Sequence, residues 1–272
     1  MSDSLFSVLR AAIAAEEPVV LATIVAVDDS VDGDDLPLVG AKILLQPGSE
    51  PLGSLGNDDL DRVVIRDALG ELSAGTTGIR HYGPRGEARQ DEVSVFIESF
   101  APPPRMLIFG AVDFTAALTR VAKILGYRVT VCDARPVFAT TQRFPYADEV
   151  VVNWPHRLLE EVGSELGPRD AICVLTHDPK FDVPAVIAAL ATDTGYIGAM
   201  GSRRTTKDRN DRLMAEGVTE AEIDRVRAPI GLDLGARTPE ETALSICSEI
   251  IALRSGRPVA ALKDTEGDIH RA

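Results

Sequence analysis

The chain has 272 residues, 45% of them hydrophobic and 5% aromatic, which is ordinary for a soluble α/β protein of one or two domains. Its formal net charge of −14 at pH 7 argues against nucleic acid or an anionic membrane as a partner. No apolar run approaches the roughly 18 residues of a membrane span, and no basic segment accompanies the acidic start at Asp3, so we expect a cytoplasmic protein without a membrane span.

The first hundred residues predict a small α+β domain. Ser4 is a candidate cap for an amphipathic helix that extends to Glu16, and Asn57 can cap a second helix. Apolar or alternating runs predict strands at residues 19–27, 40–46, 51–55, 77–82 and 93–99. The acidic loop at residues 28–35 is interpreted as a solvated turn, with a hard-cation site as the alternative, because its aspartates lack the ligand pattern of a calcium loop.

A stiff proline spacer, Ala101-Pro102-Pro103-Pro104-Arg105, predicts a domain boundary. Residues 1–101 carry 18 acidic and 7 basic side chains, whereas residues 102–272 carry 24 and 21. The acidic excess therefore belongs to the first part, and the second part retains enough cations to bind an anion. We predict an N-terminal α+β domain over residues 1–101 and a C-terminal domain over residues 102–272.

Strands alternate with helices after the spacer. The apolar run at residues 106–109 ends in Gly110, a helical pattern follows, and a β-branched run ends in Asp133. Further strands are predicted at residues 150–152, 171–176 and 195–200, and helices at residues 155–162, 184–190, 202–216, 219–226 and from Thr238 onward. Such alternation predicts a Rossmann-like parallel sheet with helices on both faces.

Polar residues follow several of these strands, where the ligands of open α/β sheets bind. The candidate binding residues are Gly110, Asp133, Arg135, His177, Asp178, Gly201, Ser202, Arg203 and Arg204. The last three open a helix, and cations in a first turn oppose the helix dipole by about 0.3–1 kcal/mol each, which favours a bound phosphate. The alternative is a pair of surface arginines balanced by Asp208 and Asp211.

For the other polar candidates, Asp133 and the pair His177 and Asp178, the sequence allows two roles each. Asp133, 23 residues after Gly110, is either an acceptor for a ribose hydroxyl or the salt-bridge partner of Arg135. His177 and Asp178 are either a general acid and base or, for Asp178, a helix cap.

NAD(P) is disfavoured, because Val112 and Thr115 occupy the second and third glycine positions of a dinucleotide-binding turn. Cys132, Cys173 and Cys247 stand singly in apolar runs, which indicates buried thiols in a reducing compartment. No GxSxG elbow or Cys/His pair is present in the sequence, so we assign no catalytic residue and no metal ligand.

Two segments, IGAMGSRRT at residues 197–205 and PIGLDLGARTPEETALSI at residues 229–246, resemble the XdhC/CoxI family. Its members are accessory factors that mature xanthine dehydrogenase, carbon monoxide dehydrogenase and related molybdenum hydroxylases. The resemblance covers residues 104–254, including the segments VCDAR and LTHDPKFD, and continues more weakly through the N-terminal half, where Gly40-Ala41-Lys42 matches a GAK element.

This resemblance implies that the chain binds molybdenum cofactor (molybdopterin), a pterin that carries a phosphate, near Gly201–Arg204 and delivers it to a hydroxylase apoenzyme. It also implies a homodimer. The family's GAGH turn is GAVD here, at residues 110–113, and its SGGC motif is Ser54-Leu55-Gly56-Asn57, without the cysteine. We therefore expect a maturation factor rather than a catalyst. An NAD(P)-dependent oxidoreductase and a docking adaptor for the hydroxylase are the alternatives.

Overall fold

A computed structural model describes residues 4–28, 37–88, 90–176 and 178–266. The chain divides into two compact units, one up to Pro102 and the other Pro103–Thr265. Most of the acidic loop at residues 28–35 lies outside the described residues. Among the helices of the described ranges, none is long and apolar enough to cross a membrane.

The first unit is an antiparallel sheet with one helix on each face. Its elements are α1 (Leu5–Ala14), β1 (Val19–Val27), β2 (Lys42–Leu45), β3 (Leu52–Ser54), α2 (Asp58–Ala74), β4 (Gly78–Tyr82) and β5 (Val93–Phe100). The strand order is β3-β2-β1-β5-β4. The Ser4 side chain caps α1 and the Asn57 side chain caps α2, as the sequence predicts.

The central strand β1 is buried on both faces because its side chains alternate between two cores. Val20 and Ala22 pack with the core beneath α2, whereas Val19 and Leu21 pack with the core beneath α1. The apolar residues of α2 recur with a spacing of four, so one stripe of the helix covers the sheet.

The second unit is a parallel sheet with helices on both faces. Its elements are β6 (Arg105–Phe109), α3 (Asp113–Ile124), β7 (Arg128–Cys132), β8 (Glu149–Val151), α4 (Pro155–Val162), β9 (Ala171–Val174), α5 (Pro179–Leu190), β10 (Tyr196–Ala199), α6 (Arg203–Ala215), α7 (Glu220–Ile223), β11 (Val226–Arg227) and α8 (Pro239–Ser255). The strand order β11-β10-β9-β6-β7-β8 is that of a Rossmann-like sheet, which confirms the predicted fold class.

Alternation along β6 divides the core of this unit into two layers. Met106 and Ile108 pack with α3 and α8, whereas Leu107 and Phe109 face α4, α5 and α6. The capping box of Thr238 and Glu241 starts α8 as predicted.

Two boundaries differ from those predicted by more than two residues. The fifth helix begins at Pro179 rather than at Pro184, because the Asp178 side chain accepts a hydrogen bond from the Lys180 N–H at 3.0 Å and starts the helix earlier. The predicted helix at residues 219–226 ends at Ile223, since Val226 pairs in parallel with Ile197 of β10.

Candidate functional site

The strand order reverses between β6 and β9 at the centre of the parallel sheet. From β6 the chain continues outward to β7 and β8, and from β9 it continues in the other direction to β10 and β11. Ligands of such sheets bind in the crevice beyond the carboxyl ends of the strands at this reversal. We therefore take the turns that follow β6, β7, β9 and β10 as the candidate site.

The turn after β6 requires a glycine. Gly110 has φ of 110°, and its N–H donates to the Cys132 carbonyl at 2.9 Å. A Cβ at this position would lie 2.7 Å from Thr176 Cγ2, which follows β9. The turns of the two central strands therefore approach each other too closely to admit a side chain at position 110. The sequence predicts Thr176 only as the last residue of a strand and does not indicate this role.

The same turn is filled by its own side chains. Thr115 is buried in the first turn of α3, and its hydroxyl donates to the Gly110 carbonyl. Val112 occupies the N-cap of α3 without a side-chain cap bond and packs against the core beneath α3 and α8. The space that glycines leave open in a dinucleotide-binding turn is therefore occupied by these two side chains.

Asp133, after β7, is 3% exposed, and both of its oxygens are held by protein groups. The carboxylate accepts hydrogen bonds from the Ala111 N–H at 2.8 Å and from the Arg135 guanidinium at 2.7 and 2.9 Å. Burial alone would raise the pKa of Asp133, but these hydrogen bonds outweigh burial and hold the pKa below its usual range. Of its two predicted roles, the salt bridge to Arg135 is the one that the side chain adopts.

The Arg135 guanidinium lies over the Phe138 ring, 4.6 Å from its centroid, while it holds Asp133. Asp178 caps α5 through its side chain, which is one of the two roles that the sequence predicts for it. His177 lies outside the described residues.

The turn after β10 leads into α6. Gly201 has φ of 150°, and the Ser202 side chain caps the helix by accepting a hydrogen bond from the Thr205 N–H at 3.1 Å. Arg203 and Arg204 are exposed in the first turn of α6. Neither guanidinium forms an ion pair with any residue that the structure describes, Asp208 and Asp211 included. The helix start therefore presents two uncompensated cations beside its free N–H groups.

A buried ion pair lies beneath this turn, and the sequence does not predict it. Asp182 of α5 and Arg209 of α6 are 3% and 4% exposed, and Asp182 Oδ2 lies 3.8 Å from Arg209 Nη2. Arg209 Nη2 donates to the Met200 carbonyl, and the Thr176 hydroxyl donates to Asp182. Burial raises the pKa of Asp182 to about 7 although Arg209 opposes the shift. The pair connects the turn after β9 to the turn after β10.

Cavities lie beside these turns. One of about 350 Å³ lies beside the first turn of α3 and is lined by Val112, Arg120, Arg143 and Phe144 among others. Arg143 Nη1 donates to the Ala111 carbonyl at 3.1 Å, so an arginine borders the Gly110 turn as well. The second cavity, of about 100 Å³, lies between α5 and α6 and is lined by Asp182 and Arg209.

The cysteines are unsuited to bind a ligand. All three are buried, and burial raises the pKa of Cys132 and of Cys247 to about 12, so these thiols stay protonated at neutral pH. Within the described ranges, no group of three or more His, Cys, Asp or Glu side chains is placed to hold a metal ion.

In the first unit, the position that carries a cysteine in the family's SGGC motif is occupied by Asn57. Its side-chain oxygen accepts hydrogen bonds from the Asp59 N–H at 3.0 Å and the Leu60 N–H at 3.2 Å. Ser54, at the start of the same motif, accepts a hydrogen bond from the Gly56 N–H at 2.9 Å. The motif is therefore a turn that leads into the cap of α2.

Two family models match the chain. Residues 106–250 match the XdhC Rossmann domain, and residues 12–83 match the XdhC and CoxI family.

Among curated relatives, a probable xanthine dehydrogenase subunit of Bacillus subtilis is 34% identical over 161 residues, which is 59% of this chain and 46% of that protein. A molybdenum cofactor insertion chaperone of Escherichia coli, PaoD, is 27% identical over 159 residues, which is 58% of this chain and 43% of that protein. The chain therefore spans less than half the length of these relatives.

A crystal structure of a xanthine dehydrogenase from Bacillus halodurans has the same fold. The TM-score is 0.54 with 21% sequence identity, and the alignment covers 93% of this chain and 96% of that one.

Proposed function

The chain belongs to the XdhC and CoxI family, and on that basis we propose that it binds molybdenum cofactor and delivers it to a molybdenum hydroxylase of the xanthine dehydrogenase or carbon monoxide dehydrogenase type. The observation that carries the proposal is the start of α6, where Arg203 and Arg204 are exposed beside a Ser202 cap. The similarity to a relative named as a molybdenum cofactor insertion chaperone supports the choice of ligand.

The start of α6 suits the phosphate end of a pterin cofactor. The first N–H groups of a helix have no intrahelical partner and point toward an anion, and the helix dipole adds to their attraction. Arg203 and Arg204 supply guanidinium groups that match phosphate oxygens, and each charged hydrogen bond contributes on the order of 1.5–3 kcal/mol. Gly201 precedes them without a side chain that would obstruct the ligand.

The other predicted residues shape the turns around this site. Asp133 and Arg135 hold one another, Asp178 caps α5, and Gly110 leaves the space beside Thr176 free of a side chain. We propose that they fix the edge of the sheet against which the cofactor is bound, and that they do not contact its phosphate.

The residues do not offer a thiolate for the metal end of the cofactor. Molybdenum cofactor supplies the metal centre of the client hydroxylase, and here its binding would rest on the phosphate. The described cysteines are buried and protonated, and Asn57 stands where the family motif has a cysteine. We therefore propose that this protein holds and transfers the cofactor without cysteine chemistry of its own.

The experiment is purification from cells that make molybdenum cofactor, followed by assay of bound pterin by fluorescence after oxidation and of molybdenum by mass spectrometry. We expect Arg203→Ala/Arg204→Ala to weaken cofactor binding at least tenfold, because two charged contacts to phosphate are lost. The matched control is Arg254→Ala/Arg257→Ala, which removes two exposed arginines at the far end of α8 and should leave binding unchanged.

Equal pterin content in the two double variants, with equal melting temperatures, would place the cofactor elsewhere. A protein that copurifies with a hydroxylase apoenzyme but never with pterin would support the docking-adaptor alternative. We further propose that the protein acts in the cytoplasm and that it forms a homodimer. Light scattering on the purified chain tests the homodimer.

A further inference from the structure

Arg209 has hydrogen-bond donors that the described protein does not satisfy. Its Nε and Nη1 atoms are buried and without a hydrogen-bond partner, whereas Nη2 donates to the Met200 carbonyl. Nε carries one N–H and Nη1 carries two, so three donors of a buried cation lack an acceptor. A buried donor without a partner costs about 1–3 kcal/mol, and more when it is charged, so an acceptor is expected beside this side chain.

The cavity between α5 and α6 provides room for that acceptor. Its volume of about 100 Å³ is several times the roughly 10–15 Å³ that one water molecule needs. Arg209, Arg212 and Thr205 are among the residues that line it, and Asp182 and Asp208 contribute carboxylates. The lining therefore combines a buried guanidinium that has free donors with a second arginine.

We propose that this cavity, beneath the Gly201 turn, binds a small tetrahedral oxoanion of the phosphate class, with the free N–H groups of Arg209 as its donors. The site is distinct from the exposed arginines at the start of α6 and does not depend on molybdenum cofactor. Guanidinium is the side chain that best matches such an anion, because its planar donors remain charged at all physiological pH values.

Binding of an anion here is coupled to the protonation of Asp182. Its carboxylate faces Arg209 and the cavity walls Asp208 and Arg212 from α6, accepts from Thr176 after β9, and lies one turn from Asp178 on its own helix. An ionised Asp182 repels the incoming anion, whereas the protonated form does not. Because the pKa of Asp182 is raised to about 7 by burial, this change falls near neutral pH.

The direction of the pH dependence follows from this arrangement. Below pH 7 the carboxyl is neutral and the anion binds with its full affinity. Above pH 7 a proton must be taken up with the anion, so each further pH unit weakens binding about tenfold.

Sulfate is the probe of choice because it stays doubly charged between pH 6 and pH 8, and titration calorimetry is the measurement. The background is Arg203→Ala/Arg204→Ala, so that only the cavity is probed and failure of the cofactor proposal has no bearing on the result. We expect sulfate to bind this background about tenfold more tightly at pH 6 than at pH 8. Adding Asp182→Asn should abolish the pH dependence and give the tighter affinity at both pH values.

Loss of the cation is tested with Asp182→Asn/Arg209→Met in the same background, which removes both buried charges together and so avoids an unpaired one. We expect sulfate affinity to fall at least tenfold at pH 6. Lys207→Met, an exposed cation on α6 that does not line the cavity, is the matched control and should leave affinity unchanged. Inorganic phosphate and ribose 5-phosphate at pH 6 then distinguish a free anion from a phosphate monoester as the occupant.

Two results would overturn the proposal. One is the absence of sulfate binding to the background at millimolar concentrations, and the other is equal affinity with and without Arg209. If the variant that lacks both buried charges does not fold, the pH dependence of sulfate affinity in Asp182→Asn decides the question. A pH dependence that survives this substitution would contradict the role of Asp182.

Discussion

Replacement of Asp182 by Asn should change how the stability of the second unit depends on pH. Burial raises the pKa of the folded-state carboxyl to about 7, whereas an unfolded aspartate titrates near 3.9. Between these two values the folded state binds a proton that the unfolded state has released. The stabilisation is therefore fully present below about pH 4 and is lost as the pH rises to about 7.

The size of this loss of stability follows from the difference between the folded and unfolded pKa values of Asp182. Each pH unit between the two pKa values corresponds to about 1.4 kcal/mol, so the loss between pH 5 and pH 7 is on the order of 3 kcal/mol. Asn cannot ionise and lacks this dependence. We expect the difference in the free energy of unfolding, wild type minus Asp182→Asn, to fall by that amount from pH 5 to pH 7 and to stay constant above pH 8.

Urea unfolding followed by tryptophan fluorescence measures this difference. The single tryptophan, Trp154, stacks on Phe181 with their ring centroids 4.6 Å apart, so its emission reports on the surroundings of α5. Subtraction of the two curves cancels the titration of all other groups. Asp208→Asn makes the same chemical change at an exposed carboxylate that lines the same cavity and is the matched control. A difference that varies by less than about 0.5 kcal/mol over this range for Asp182→Asn would refute the reasoning.

Three further predictions concern the turns. Gly110→Ala brings a Cβ to 2.7 Å from Thr176 and should lower the free energy of unfolding of the second unit by roughly 1–3 kcal/mol, measured by urea unfolding. Gly126→Ala is the control, because Gly126 also has a positive φ but has open space around it, and it should destabilise the protein less. Equal destabilisation by the two variants would contradict the argument from close contact. NAD and NADP should show no micromolar binding in calorimetry, because Val112 occupies the turn that a pyrophosphate needs, and a micromolar dissociation constant would favour the oxidoreductase alternative. Asn57→Ala should destabilise the first unit by about 1 kcal/mol, because the side chain that caps α2 is lost. Asn57→Ser should retain most of the wild-type stability, since serine also caps helices. Thermal unfolding of the two variants compares them.

Local signals make the helix starts predictable from the sequence. Ser4, Asn57, Ser202 and Thr238 are each identified as caps, because a cap depends on a side chain and N–H groups two or three residues later. The strands of the parallel sheet are predictable for a similar reason, since runs that are buried on both faces are continuously apolar. Neither feature requires knowledge of the tertiary arrangement.

Contacts between distant segments are not predictable in this way. Asp182 and Arg209 lie 27 positions apart on different helices, and a charged residue in a helical pattern is ordinarily assigned to the exposed face. Asp133 keeps two possible roles in the sequence because the choice depends on where the Ala111 N–H lies after folding. The short strand β11 exists only because β10 is beside it.

Asn57 stands where the family motif has a cysteine, and the two residues suit different roles, helix capping and thiol chemistry. A cysteine at a helix N-terminus has a lowered thiol pKa and is reactive, whereas Asn at the same place supplies a strong cap. Here Asn57 accepts two backbone hydrogen bonds, so the position stabilises α2 and offers no thiolate. The phosphate binding that we propose at Arg203 and Arg204 does not require a thiol. A variant Asn57→Cys that gained thiol reactivity without a change in cofactor affinity would show that holding the cofactor and modifying it are independent functions, whereas a change in affinity would contradict that independence.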